Sequence, residues 1–534
     1  MKKIFVLNFV VFVLSCSSPT YDLVVHNGVL FDGTGSPGKK GMVGVINDKI
    51  QYIGPETSFK AATSIDAKGK AISPGFINML SWGYNSLLED GRGLSDLKQG
   101  VTLEVFGEGT SPGPRIDSET GDSLSFGQAM NKLVDKGVAL NIASYLGAAT
   151  VRIETVGYEN REATKEEKLK MEAIVAKAME EGAIGIGSSL IYAPGDYANT
   201  EELILLNKAA SRYNGRYISH MRNEDHKILT ALEELITIAK EANVPAEIYH
   251  LKASRKPNWH LLDSVIQRVE TARKEGLKIT ADMYTYFASS TGLTGVIPTW
   301  VQAGGHNAWM NRMKDEKVRK RLFEEIREEL RNQPPEGILM VGFKNPEMDA
   351  IYRGKTIAEA AKMRNQPPEQ TIVDMVLEDD SRIQCIYFSM SEENIRKKIQ
   401  LPWVSYCSDA GAYSNIDKDF RTHPRAFGSF IRVLGKYSRD EQLIPLEEAI
   451  RKLSGLAAEN LGLENRGLLK EGYFADIVVF DPENVQDHAT FNDPLKYATG
   501  VSDVIINGET VMLNGEHTGA MPGRFVKGSG ALIP

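Results

Sequence analysis

Cysteine is scarce in this chain of 534 residues: Cys16, Cys385 and Cys407 are the whole supply. Three thiols cannot form a disulfide framework, nor a zinc site made of cysteine alone. A surplus of positive charge is lacking as well. With 62 Lys and Arg against 70 Asp and Glu the formal net charge is −8, which argues against a chain built to coat nucleic acid or anionic lipid. After residue 14 no stretch offers the ~20 apolar residues that a membrane-spanning helix needs. The bulk composition is ordinary. Hydrophobic residues at 42% and charged ones at 25% match soluble globular proteins and exclude bulk disorder and a fibrous repeat. The length exceeds one ordinary domain of ~100–200 residues.

The first residues read as targeting sequence. Met1-Lys2-Lys3 is a short positive segment, and residues 4–14 are almost wholly apolar, too short to span a bilayer but suited to a signal peptide. The run ends Val13-Leu14-Ser15-Cys16. A small residue before a cysteine resembles a bacterial lipobox, which predicts a lipoprotein-type signal over residues 1–16, cleaved so that a lipidated Cys16 becomes the new N-terminus. The protein would then be exported and anchored to a membrane by lipid, facing the periplasm or cell exterior. The alternative is an ordinary cleaved signal with an incidental cysteine.

Both ends of the remaining chain read as β structure. Residues 21–31 and 41–54 carry near-alternating branched side chains around Asn-Gly and Asn-Asp turns, the pattern of hairpins. Residues 475–480 and 504–511 repeat the style. Neither end alone can bury a sheet face, so one small β-sandwich built from both, 20–72 and 466–534, is expected. Between them, strand-like runs at 71–78, 101–107, 139–145, 183–189, 216–220, 246–250, 278–284 and 403–408 alternate with helical periodicity, as at 165–181, 226–242 and 446–461. Eight such alternations predict an α/β fold, a TIM-like (β/α)8 barrel over 73–465. An insertion at about 290–400 lies over its mouth, with a helix at 310–332 and extended runs at 337–343 and 384–388.

Catalysis in such barrels sits at the C-terminal ends of the strands. His220 and His250 each end a predicted strand, 30 residues or one βα unit apart. Neighbouring strands lie ~4.8 Å apart, so the two imidazoles can converge on one ion, and zinc takes imidazole readily while keeping a position open for water. A period of two puts Glu104, Phe106 and Glu108 on one face, with Glu108 at the strand end as the third ligand. Asp409 follows the last strand, placed to take a proton from metal-bound water and pass it to a leaving amine. The bland readings are a structural histidine, a loop-capping Glu108 and an Asp409 that caps the turn before Gly411.

An ordered set of segments carries a resemblance. These are Asp32–Gly38, Pro74–Ile77, Gly187–Gly195, Ile218–Arg222, His250–Ser254, Ala288–Leu293, Ser408-Asp409, His423-Pro424-Arg425 and Ala475–Pro482. Together they resemble the N-acyl-D-amino-acid deacylase branch of the amidohydrolase superfamily over nearly all of the chain. The resemblance implies a zinc-bearing barrel that hydrolyses the amide of small N-acyl D-amino acids, with His220 and His250 as ligands and Asp409 as catalytic aspartate. It further implies substrate contacts at Tyr192, Lys252, Tyr284, Ser290 and Arg425. A guanidinium suits the role at 425 because it grips a free carboxylate through two hydrogen bonds; Lys252 is the fallback cation.

Two departures qualify the match. Where the superfamily usually has Asp-x-His-x-His, this chain has Asn78-Met79-Leu80-Ser81-Trp82, so neither Leu80 nor Trp82 can bind zinc. The family's cysteine ligand on the second strand aligns at or beside Gly109, and Glu108 is the nearest donor. One zinc ion per chain, held by Glu108, His220 and His250, is therefore expected, and a two-metal centre is not. The competing readings are an amidohydrolase for a cyclic amide or dipeptide, and a metal-free, lipid-anchored binding protein.

Overall fold

The computed structural model describes residues 20–416 and 421–532; the signal segment and Cys16 lie outside them. Both chain ends contribute to one nine-stranded sheet. Thr20–Leu30, Lys39–Ile46, Lys49–Gly54, Lys60–Asp66 and Ala71–Pro74 come from the N-terminal side, and Ile477–Phe480, Val501–Ile506, Glu509–Leu513 and Glu516–His517 from the C-terminal side. The seam is antiparallel, with Val479 opposite Ile72. Alternation sets one face of these strands inward, and Val25, Val43, Ile72, Ile477, Val479 and Ile505 form a shared apolar cluster.

The barrel strands are β1 (Phe76–Asn78), β2 (Val101–Phe106), β3 (Asn141–Ser144, resuming at Leu146–Gly147), β4 (Gly185–Ser189), β5 (Arg216–His220), β6 (Ala246–Ile248), β7 (Ile279–Met283) and β8 (Val404–Tyr406). Neighbours pair in parallel in that order. The ring closes where Asp409 N–H donates to Leu80 O at 2.9 Å and Ser81 bridges Ala410. All eight expected strands are present, each with helical segments packed outside.

Three expected segments are broken, each for a local reason. The run at 71–78 splits at Gly75 into a sheet strand and a barrel strand; a side chain there would put its Cβ 2.1 Å from Thr102 Oγ1. The helix at 446–461 is two helices, Leu446–Leu453 and Gly455–Leu461, interrupted at Ser454. The helix at 310–332 is also two, because Asp315 caps Glu316–Asn332 by accepting from Lys317 N–H.

Between β7 and β8 the insertion builds its own three-stranded antiparallel sheet, with Gln384–Tyr387 between Ser289–Gly292 and Ile338–Gly342. It carries a separate apolar core that includes Leu322, Ile326, Met340, Ile372 and Val376. A cavity of about 1330 Å³ lies between this insertion and the barrel mouth. Among the described residues no helix is long and apolar enough to cross a membrane.

Candidate metal centre

His220 is the last residue of β5 and is buried. His250 stands two residues past the end of β6, in the left-handed region at φ 35°, a conformation that non-glycine residues adopt only when their surroundings hold them there. The hold is visible: its N–H donates to Asp282 Oδ1 on β7 at 2.7 Å, and Leu251 N–H donates to the Asp282 carbonyl at 2.9 Å. Matching strand heights therefore do not bring the imidazoles together. The turn at His250 does, leaving the rings 4.3 Å apart and nearly perpendicular.

Glu108 likewise owes its position to a turn. Strand alternation ends at Phe106, and Gly107 and Gly109 follow at φ 112° and 69°. The Gly107 backbone lies against β3, where a Cβ would fall 2.3 Å from Tyr145 O. This Gly-Glu-Gly turn aims the Glu108 carboxylate across the mouth. Glu104 points elsewhere, into a buried cluster where it accepts from Asn78 Nδ2 at 3.0 Å.

One oxygen, Glu108 Oε1, lies 2.7 Å from His220 Nδ1 and 3.1 Å from His250 Nε2. One ligand atom from each of the three residues falls within 4.8 Å of the others. His220 Nε2 is buried and makes no hydrogen bond among the described residues. Two imidazoles and a carboxylate, preassembled with spare donor capacity, fit a divalent ion such as zinc.

A second carboxylate escaped the sequence reading. Glu224, in the loop after β5, sets Oε2 3.4 Å from His220 Nε2 and Oε1 3.2 Å from His250 Nδ1. A carboxylate four residues beyond a ligand was the only signal, since loops have no periodicity. Lys252, the fallback cation two residues past His250, lies beyond β6 with Nζ 2.6 Å from Glu224 Oε1 and 2.7 Å from His250 Nδ1. The charges tune one another. Burial pushes the Glu108 and Glu224 carboxyls up, but the histidines, and Lys252 beside Glu224, hold both well below the usual range. Burial and Lys252 pull His250 down; Glu108 and Glu224 outweigh them and raise it to about 9.

Asp409 lies past β8 at φ 50° and lines the same cavity. Its Oδ2 is 2.7 Å from Arg425 Nη1, and its Oδ1 accepts from Trp82 Nε1 at 3.2 Å. Arg425, the first residue of the helix Arg425–Arg432, lies over the Tyr284 ring at 4.6 Å. It is paired rather than free, yet its Nε and Nη1 hydrogens make no aligned hydrogen bond. Tyr192 stands edge-on to His220 at 5.4 Å. Ser290 lines the cavity, but its hydroxyl donates to Cys385 O at 2.9 Å and accepts from Gln384 Nε2 at 2.8 Å, inside the insertion sheet. Arg382, also missed from sequence, lies over Tyr192 at 5.4 Å and pairs with no carboxylate among the described residues.

A model of the amidohydrolase family matches residues 137–512. The D-aminoacylase of Alcaligenes xylosoxydans xylosoxydans is 31% identical over 522 residues, 95% of this chain and 98% of that protein. The N-acyl-D-glutamate deacylase of the same organism is 29% identical over 501 residues, 91% and 93%. A D-aminoacylase structure, solved in a study of its binuclear metal centre, superposes with a TM-score of 0.81 at 32% identity, over 95% of this chain and all of that one. The N-acyl-D-glutamate deacylase of Bordetella bronchiseptica, complexed with zinc and a phosphonate mimic of the tetrahedral intermediate, gives a TM-score of 0.80 at 27% identity over the same shares.

Proposed function

The chain belongs to the amidohydrolase family, and from that premise we propose that it is a zinc-dependent deacylase that hydrolyses the amide bond of N-acyl-D-amino acids. The observation that carries the reading is the convergence of Glu108, His220 and His250 on one point of a cavity that Asp409 and Arg425 also line. A zinc ion held by those three residues supplies Lewis acidity to the amide carbonyl and to water.

The protein's own groups do the rest. Asp409 accepts the proton of the attacking water and returns it to the departing nitrogen. Arg425 takes the substrate carboxylate through its guanidinium, and so brings the amide to the aspartate it pairs with. Tyr284 under the guanidinium and Tyr192 beside His220 wall the bound substrate. One ion per chain is the expected stoichiometry, because Leu80 and Trp82 offer no ligand.

The test is a substrate panel with the zinc-loaded protein: N-acyl-D- and L-amino acids, their amides, a cyclic amide and a dipeptide. Hydrolysis of the D-acids, reduced for the amides and for Arg425→Lys, is the expected result. Equal rates on acid and amide, unchanged in Arg425→Lys, would remove the carboxylate clamp. Preference for the cyclic amide or dipeptide would overturn the substrate assignment. The lipobox-like Ser15-Cys16 supports export and lipid anchoring at Cys16. Two or more acyl chains attach stably, whereas one binds only marginally.

A further inference from the structure

The residues after β1 stand where the superfamily pattern has two metal-binding histidines. Leu80 is buried among the apolar side chains of the barrel interior. Trp82 is not: its ring lines the catalytic cavity and is 48% exposed. Its indole N–H is directed at a single acceptor, Asp409 Oδ1, at 3.2 Å. The backbone fixes this encounter on both sides. Asp409 N–H donates to Leu80 O at 2.9 Å, Trp82 N–H to Ala410 O at 2.9 Å, and Ser408 N–H to Asn78 Oδ1 at 2.9 Å. These bonds hold a residue at φ 50° that would otherwise relax.

The side chain of Asp409 has its own freedom, because the terminal torsion of a carboxylate is broad and two-fold. The ion pair with Arg425 restrains one oxygen, Oδ2, at 2.7 Å. A contact at one oxygen leaves the carboxylate plane free to turn about it; a second contact, at Oδ1, removes that freedom. We propose that Trp82 is a positioning residue for Asp409, its indole N–H fixing the plane of the carboxylate toward the cavity. An indole suits the task, since it donates and never accepts. The end of the first strand thus serves the aspartate rather than a metal ion. This inference rests on the proton-carrying role proposed for Asp409.

The experiment is Trp82→Phe in the full-length, zinc-loaded protein, which keeps the aromatic wall and removes the N–H. Removing a hydrogen bond to a charged group should lower kcat about ten- to a hundredfold, with KM, bound zinc and Tm unchanged. In an Asp409→Asn background the same change should add no further loss. A readout independent of turnover is the indole 15N–H resonance of Trp82, identified by its disappearance in Trp82→Phe, which should move in Asp409→Asn. Inactive Asp409→Asn together with kcat of Trp82→Phe within twofold of wild type would overturn the positioning role alone. So would a Trp82→Phe effect confined to KM or Tm, or an indole resonance indifferent to Asp409→Asn. Full turnover by Asp409→Asn would instead overturn the proposed role of the aspartate, and this inference with it.

Discussion

At the scale of single residues, charge neutralisation dominates the site. Glu108 and Glu224 face two histidines and Lys252, all largely removed from water. A site with only two protein ligands holds metal weakly. His220→Ala and His250→Ala should therefore each lose the metal, and elemental analysis of dialysed wild type should find about one ion per chain. Two tightly bound ions would refute the single-site assignment. Asp409 lies outside the ligand cluster, held by Arg425 and Trp82. Asp409→Asn should keep its metal and fold while turnover falls ~10²–10⁴-fold; undiminished turnover would make the aspartate a turn cap, and another base would be needed.

Among elements, the turns after strands matter more than the strands themselves. Gly107 occupies φ 112° with its Cα against Tyr145 O, so a methyl group there is both conformationally strained and sterically blocked. Gly107→Ala should cost about 1–3 kcal/mol and swing Glu108 away from the histidines. Calorimetry should show weaker zinc binding together with a lower Tm. Zinc affinity equal to wild type would show that the turn does not aim the carboxylate. The loop after β6 follows the same logic, with Asp282 clamping the backbone on either side of His250.

For the molecule as a whole, the barrel interior stores acids that folding keeps from ionising. Burial first, then repulsion from Asp282, raises Glu247 to about 8, far above the ordinary value of ~4.3. A raised folded pKa means that its stabilising contribution is complete below the unfolded pKa and is lost as pH climbs through about 8. Wild type should accordingly lose stability between about pH 5 and 8, and Glu247→Gln, which does not titrate, should show a shallower decline. Urea midpoints at the two pH values measure it; parallel declines would exclude Glu247 as a source. The whole chain also bears on location. Cells should hold the protein in the membrane fraction, and Cys16→Ala should release it or leave it unprocessed; wholly soluble wild-type protein would contradict an anchor.

Periodicity and composition determined the eight barrel strands, the joining of both termini in one β-rich unit, the strand end that carries His220, and the place of Asp409 after the last strand. These features follow from local patterns of apolar residues, which constrain each segment before it meets any other. Ordered motifs supplied the family, and with it a zinc deacylase as the expectation. Tertiary structure alone decided the aim of the side chains. Glu108 points at the histidines through a glycine turn rather than by alternation, Glu224 enters from a loop without period, and Arg425, on the helix that follows, pairs with Asp409. The reason is physical. Loops carry no repeating pattern, and a left-handed residue, or a contact such as that between Glu108 and His220, 112 positions apart, is fixed only by the packing that surrounds it.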